Sequence, residues 1–201
     1  VITPDSRIQL SYKIHGTSGI SAYVLCKQPL NWKQKLAKWL TGEEFNKYDY
    51  IYASRTVIKN KYYNRNVGGG FYGVDVWAEA DKIVRPCLSR GMSAYYEIVG
   101  YLPNGGCIQK KYDYGCVPPK EGEPYTPEKH FKVRIYRVTY TNIDGKVFEF
   151  TPHQVQQWCA QVGLIPVEEC YCGMAKDLYP DLNPSEHWNE NFINRLAGDP
   201  N

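Results

Sequence analysis

The sequence is poor in the features that most often identify a site. It has seven cysteines but no CxxC pair, and none of its four histidines (His15, His130, His153, His187) stands at metal-ligand spacing from another ligand. A zinc-finger reading therefore has no support. No apolar run approaches the roughly 18 residues of a membrane-spanning helix, and no secretory signal is visible, so a membrane partner is not expected. Neither a GxGxxG nor a Walker spacing occurs. Gly68-Gly69-Gly70 reads as a flexible loop rather than a phosphate cradle. Charge of one sign is also lacking: 24 Lys and Arg against 21 Asp and Glu leave a net charge of +3. That balance permits a nucleic-acid partner without demanding one.

What is present is a chain of 201 residues, 43% hydrophobic and 22% charged, long enough for one globular domain with its own core. Its 18 Tyr, 5 Trp and 6 Phe supply flat, half-polar rings suited to sheet faces and base stacking. The thiols read as reduced and packed as small apolar groups, pointing to the cytoplasm. Cys170-Tyr171-Cys172 has strand spacing, with both thiols on one face.

Local patterns predict an α+β chain dominated by antiparallel hairpins. Ile8–Ile14 alternates apolar and polar, and 20–26 reads as its returning strand across the turn at His15–Gly19. Trp32, Leu36, Trp39 and Leu40 recur at helical spacing and predict an amphipathic helix over 31–40, with Lys33, Lys35 and Lys38 on its other face. A strand is expected over 50–59, a helix over 74–88 disturbed by Pro86, and a buried strand over 93–101. Cys107–Tyr114 reads as a hairpin partner of that strand. Residues 118–127 form a loop rich in Pro, Gly and Glu. Phe131–Tyr140 turns at Asp144-Gly145 into Lys146–Phe150. Thr151, Pro152 and Gln154 cap a short helix closed by Gly163. A strand over 164–171 and a last helix, capped at Asn183, Pro184 and Glu186 and ending near Gly198, complete the chain.

Three positions are candidates for chemistry. Lys13 leaves a strand beside Gly16, where the missing side chain allows close backbone approach; a lysine is a nucleophile only once deprotonated. Glu97, amid apolar strand residues, needs a partner for its carboxylate, either an ion pair or ligand hydroxyls. Arg55 carries a planar fork suited to phosphate.

In combination, Lys13-Ile14-His15-Gly16-Thr17-Ser18 resembles the KxxG motif of the covalent nucleotidyltransferases, in the KxHGTS form of phage-type ATP-dependent RNA ligases. Ser54-Arg55 resembles the strand motif that follows it. Tyr96-Glu97-Ile98-Val99-Gly100 resembles motif III. Phe131–Val138 resembles motif IIIa. The stretch from Tyr50 to Asp199 also looks like viral RNA ligases of this kind.

The resemblance implies an adenylation domain, of the ATP-grasp-like ligase kind, made of antiparallel sheets with flanking helices. It implies that Lys13 attacks ATP to form a lysyl-AMP. AMP then passes to a 5′-phosphate and a nick is sealed. Ile14, Gly16, Thr17 and Arg55 would bind the nucleotide, Glu97 the ribose, and Tyr136 (with Phe131 second) would stack on the adenine. Thr17 and Ser18 would donate to phosphate. Mg²⁺ would assist, and Lys33, Lys35, Lys59 and Lys61 would contact nicked or duplex RNA, or DNA. A monomeric protein of a phage or virus, acting in the host cytoplasm, is expected.

Two family motifs are not found. Glu121-Gly122-Glu123 lies in the proline loop, Glu168-Glu169 lacks the glycine of motif IV, and Lys59-Asn60-Lys61 has the KxK spacing of motif V at the wrong place in the order. With a start at Val1 and an end at Asn201, the expectation is a single domain cut at both ends, which adenylates weakly or not at all while its parent does so fully. A non-catalytic nucleic-acid-binding fragment and the DNA-ligase or capping branch are the alternatives.

Overall fold

A computed structural model of the chain describes residues 1–27, 29–42, 44–59, 75–182 and 187–198. The elements are β1 (Arg7–Ser11), β2 (Thr17–Lys27), α1 (Trp32–Thr41), β3 (Asn46–Ser54), β4 (Ile58–Lys59), α2 (Val76–Val84), a 3-10 turn (Arg85–Cys87), β5 (Met92–Gly100), β6 (Phe131–Thr141), β7 (Val147–Glu149), α3 (Pro152–Val162), β8 (Glu169–Met174), α4 (Ala175–Leu178) and α5 (Trp188–Gly198). The chain is α+β with antiparallel sheets and a few helices, and it divides into two compact units: Ile14–Pro166, and Val1–Lys13 with Val167–Asn201.

The larger unit is built on a six-stranded sheet in the order β4-β3-β2-β5-β6-β7, with every pairing antiparallel. Strand alternation sends Ala94, Tyr96 and Ile98 of β5 and Val133, Ile135 and Val138 of β6 into one core. There they meet Val76, Trp77, Ala80 and Val84 of α2 and Val155, Trp158 and Cys159 of α3. Both helices begin as their sequences dictate. Asp75 caps α2 by accepting from the Ala78 N–H, and Thr151 with Gln154 forms a reciprocal capping box on α3, closed by left-handed Gly163.

The smaller unit pairs β1 with β8 and packs Ala175, Tyr179, Trp188 and Phe192 into its own core. Cys170 and Cys172 are both exposed on β8, and of the seven thiols only Cys116 and Cys159 are buried, which corrects the expectation that the thiols are packed as small apolar groups.

Several expectations are corrected. β1 does not form a hairpin with β2; its partner is β8. It also ends early. The ladder shifts register between Leu10 and Ser11 and stops, so Lys13 stands in the irregular segment after the strand rather than on it. The 50–59 strand is two strands, separated by a turn in which the Ser54 N–H donates to the Val57 carbonyl and the Val57 N–H to the Ser54 hydroxyl. Cys107–Tyr114 makes only a single bridge, Cys107 to Tyr101. Positive φ at Lys111 and Tyr114 takes the backbone out of the β region. The strand expected over 164–171 begins at Glu169. Gly68-Gly69-Gly70 and the cap at Asn183, Pro184 and Glu186 lie outside the described residues.

Candidate nucleotide site

The sheet has a second face, opposite α2 and α3. Register places Ser18 of β2, Glu97 of β5 and Arg134 of β6 in one row across it. Glu97 Oε1 accepts the Gly16 N–H at 3.0 Å, joining two residues 81 positions apart. Gly16 can sit there only because it has no side chain. A Cβ would fall 2.2 Å from the Ile98 carbonyl oxygen and 2.7 Å from Val99 Cγ1. The close approach that Gly16 allows is therefore to β5. Arg134 is committed elsewhere, to Glu128, through two bonds of 2.9 and 3.0 Å.

Tyr136 is supplied by an irregularity. Tyr95 faces Arg137 and Tyr96 faces Ile135, so Tyr136 is the extra residue of a β-bulge. It is 43% exposed. Its hydroxyl lies 3.0 Å from Ser18 Oγ, on the strand beyond β5, so the phenol reaches over β5. Ser18 is fixed from behind, its carbonyl accepting from Trp77 Nε1 at 2.9 Å.

The segment after β5 supplies groups that sequence reasoning missed. The Tyr114 hydroxyl accepts the His15 N–H at 2.6 Å, and Tyr112 lies against the His15 ring with centroids 5.0 Å apart. Lys132 Nζ donates to the Tyr114 carbonyl at 2.5 Å, tying β6 to this loop. The available signal was the dense Lys110-Lys111-Tyr112-Asp113-Tyr114-Gly115, in which two lysines are followed by two tyrosines flanking an aspartate before a glycine.

Gly16, Ser18, Glu97 and Tyr136 thus come together. Thr17 opens β2 opposite Ile98, half-buried, and Ile14 begins this unit. Arg55 follows β3, exposed, in the turn toward β4. Phe131, the second stacking candidate, is corrected: it is 2% exposed and stacked on Tyr125 with centroids 4.6 Å apart, so no ligand ring can lie on it. Lys13, exposed, belongs to the other unit and precedes Gly16 by three residues. Lys33 and Lys35 are exposed on α1. Lys59 falls in β4, and Lys61 lies outside the described residues.

Behind Ser18, the sheet holds a buried polar cluster. Ser21 Oγ donates to Asp81 Oδ1 at 2.7 Å and lies 3.0 Å from the Tyr96 hydroxyl, and Arg85 pairs with Asp81. Burial pushes the Asp81 carboxyl up, against the opposing pull of Ser21 and Arg85. Nearby, burial and the Asp75 carboxylate push the Tyr52 phenol up to about 12, so it remains a donor to Asp75.

The open face therefore offers a carboxylate, hydroxyls and an exposed phenol ring, groups that suit a ligand with hydroxyls and a flat base. Magnesium takes one or two carboxylates together with substrate phosphates. Among the described residues no group of three or more His, Cys, Asp and Glu could hold a metal ion, and Glu97 Oε1 already holds the Gly16 N–H. No helix among the described residues is long and apolar enough to cross a membrane.

No family model matches the chain, and no curated protein matches it significantly.

Proposed function

We propose that the larger unit holds the adenosine part of ATP on the open face of its sheet, and that the chain is the nucleotide-binding part of an ATP-dependent polynucleotide ligase of the RNA-ligase kind. The observation that carries the reading is the Gly16–Glu97 hydrogen bond. Together with the Ser18–Tyr136 contact, it gathers three separately placed stretches of the resemblance onto adjacent strands.

In this reading Glu97 accepts from ribose hydroxyls, the ring of Tyr136 stacks on the adenine, and Lys13 supplies the nucleophile. Its neutral ε-amine attacks the α-phosphorus of ATP. A nitrogen–phosphorus bond forms, the bond from that phosphorus to the bridging oxygen breaks, pyrophosphate leaves, and the amine gives up a proton to solvent. AMP on Lys13 would then pass to a 5′-phosphate at a nick, and the 3′-hydroxyl would displace it.

The test is labelling. With α-labelled ATP and Mg²⁺, the intact protein carrying this chain should acquire an acid-labile, alkali-stable AMP adduct mapped by peptide mass to Lys13, and Lys13→Ala should acquire none. An adduct that survives in Lys13→Ala rejects the reading. So does no adduct together with salt-dependent binding to nicked duplexes, which marks a non-catalytic binding module. A second outcome concerns Tyr136 alone. Tyr136→Ala should weaken binding of a fluorescent ATP analogue about tenfold, the worth of one base stack. Its exposed position predicts a melting curve within about 0.5 kcal/mol of the parent's.

A further inference from the structure

Helix α1 is built to lie on something. Asn31 and Gln34 form a reciprocal capping box at its start, and Gly42, left-handed at φ 72°, closes it by donating to the Lys38 carbonyl. These caps fix a ten-residue helix none of whose residues is buried. Its apolar side chains are all in solvent: Trp32 is 72% exposed, Leu36 47%, Trp39 79% and Leu40 66%. The periodicity predicts an amphipathic helix, and the structure adds that its apolar stripe faces away from the core.

The charge around that stripe selects an occupant. At about 100° per residue, the four apolar side chains fill an arc of about 100°. Lys33 flanks one edge and Lys35 the other, each within about 40° of it. Lys33 Nζ lies 5.6 Å from the centre of the Trp32 ring. No acidic residue occurs anywhere in the helix. The remaining lysine, Lys38, lies on the far side, paired with Glu44 at 2.6 Å. An apolar stripe bearing Trp at both ends and bracketed by lysines is the pattern of a helix lying in an anionic bilayer interface. The rings and leucines enter the boundary between headgroups and acyl chains while the lysine stems carry their ammonium groups to lipid phosphates. A second copy of the helix packed parallel would bring Lys33 and Lys35 against their own like charges. A nucleic acid would leave the aliphatic Leu36 and Leu40 of the stripe unused.

We propose that α1 is a peripheral anchor that docks the larger unit on an anionic phospholipid surface. That no helix among the described residues is long and apolar enough to cross a membrane bears only on crossing, and surface contact departs from the expectation of no membrane partner.

Flotation with vesicles tests it. The full chain should float with vesicles of 70% phosphatidylcholine and 30% phosphatidylserine at 50 mM salt. It should bind pure phosphatidylcholine at least about tenfold more weakly, and salt should reduce the difference. The double variant W32S/W39S should lose binding at least about tenfold, and K33Q/K35Q should weaken it about fivefold per lysine on the anionic vesicles only. All four side chains are exposed, so circular dichroism and melting should be unchanged, which separates lost docking from lost folding. No flotation with the anionic vesicles overturns the proposal, as does flotation unaffected by W32S/W39S. Concentration-dependent dimerisation abolished by W32S/W39S in lipid-free sedimentation would reassign the stripe to a second copy. Loss of nicked-RNA affinity in W32S/W39S without any vesicle binding would reassign it to nucleic acid.

Discussion

Arg85→Ala should lower the stability of the protein by about 3 kcal/mol near neutral pH, and the deficit should shrink as the solution is acidified. Asp81 has only 4% of its side chain exposed, whereas Arg85 is 41% exposed. Removing the arginine leaves a buried carboxylate with Ser21 alone to satisfy it, while removing the aspartate leaves a cation that water can reach. The arginine variant is therefore the more damaging of the two. The pH dependence has a definite sign. Burial already holds the Asp81 pKa above its ordinary 3.8, and Ser21 and Arg85 together oppose that rise. Without Arg85 the folded state holds a proton on Asp81 over a wider range in which the unfolded chain has released it. Stability then falls as pH rises through that range and is regained below it. Urea unfolding at several pH values checks this. A deficit below about 1 kcal/mol, or one independent of pH, would show that Arg85 is not what offsets the burial of this carboxylate. Adding Asp81→Asn to Arg85→Ala should remove the pH dependence and recover part of the loss, since the amide oxygen still accepts from Ser21.

Gly16→Ala should cost a similar amount, about 3 kcal/mol, by overpacking rather than by charge. The added methyl would lie 2.2 Å from a backbone oxygen of β5, and backbone in the middle of a ladder cannot turn aside as a flexible side chain can. The start of β2 would have to leave β5, breaking the Gly16–Glu97 bond and releasing the carboxylate. The variant should therefore lose ATP-analogue binding as well as stability. Gly42→Ala is the control. Its position is left-handed, as that of Gly16 is not, but a Cβ there meets nothing within 4 Å, so only backbone strain of about 1 kcal/mol is expected. Equal losses for the two variants, measured by denaturant midpoints, would rule out the clash as the cause.

How much of this could be read from the residues depends on the range over which each signal acts. α3 was legible to its ends because its Thr, Pro, Gln and Gly act within one turn of the chain. The β6–β7 hairpin was legible for the same reason, with Asp144-Gly145 closing it and Asn142 accepting the Lys146 N–H at 2.8 Å. The partner of β1 was not legible: alternation marks a strand but carries no address, and the ladder that holds Arg7 opposite Met174 is decided by packing. Glu97 was recognisable as a carboxylate in need of a partner. That its partner is a backbone N–H, supplied by a glycine pressed onto the next strand, is a fact of three dimensions. The exposure of α1 was equally hidden, since periodicity finds an apolar stripe and says nothing of what lies opposite.

The bulge at Tyr136 separates two jobs that a strand residue normally combines. Deleting a residue of β6 away from the bulge at 136–137 would send every later side chain to the wrong face of the sheet. Deleting Tyr136 would merely restore an even ladder, with Ile135 still facing Tyr96 and Arg137 still facing Tyr95. Position 136 is thus a spare place in the strand's reading frame. The sheet does not need it for its own alternation, so the choice of residue there is left to whatever the open face must hold.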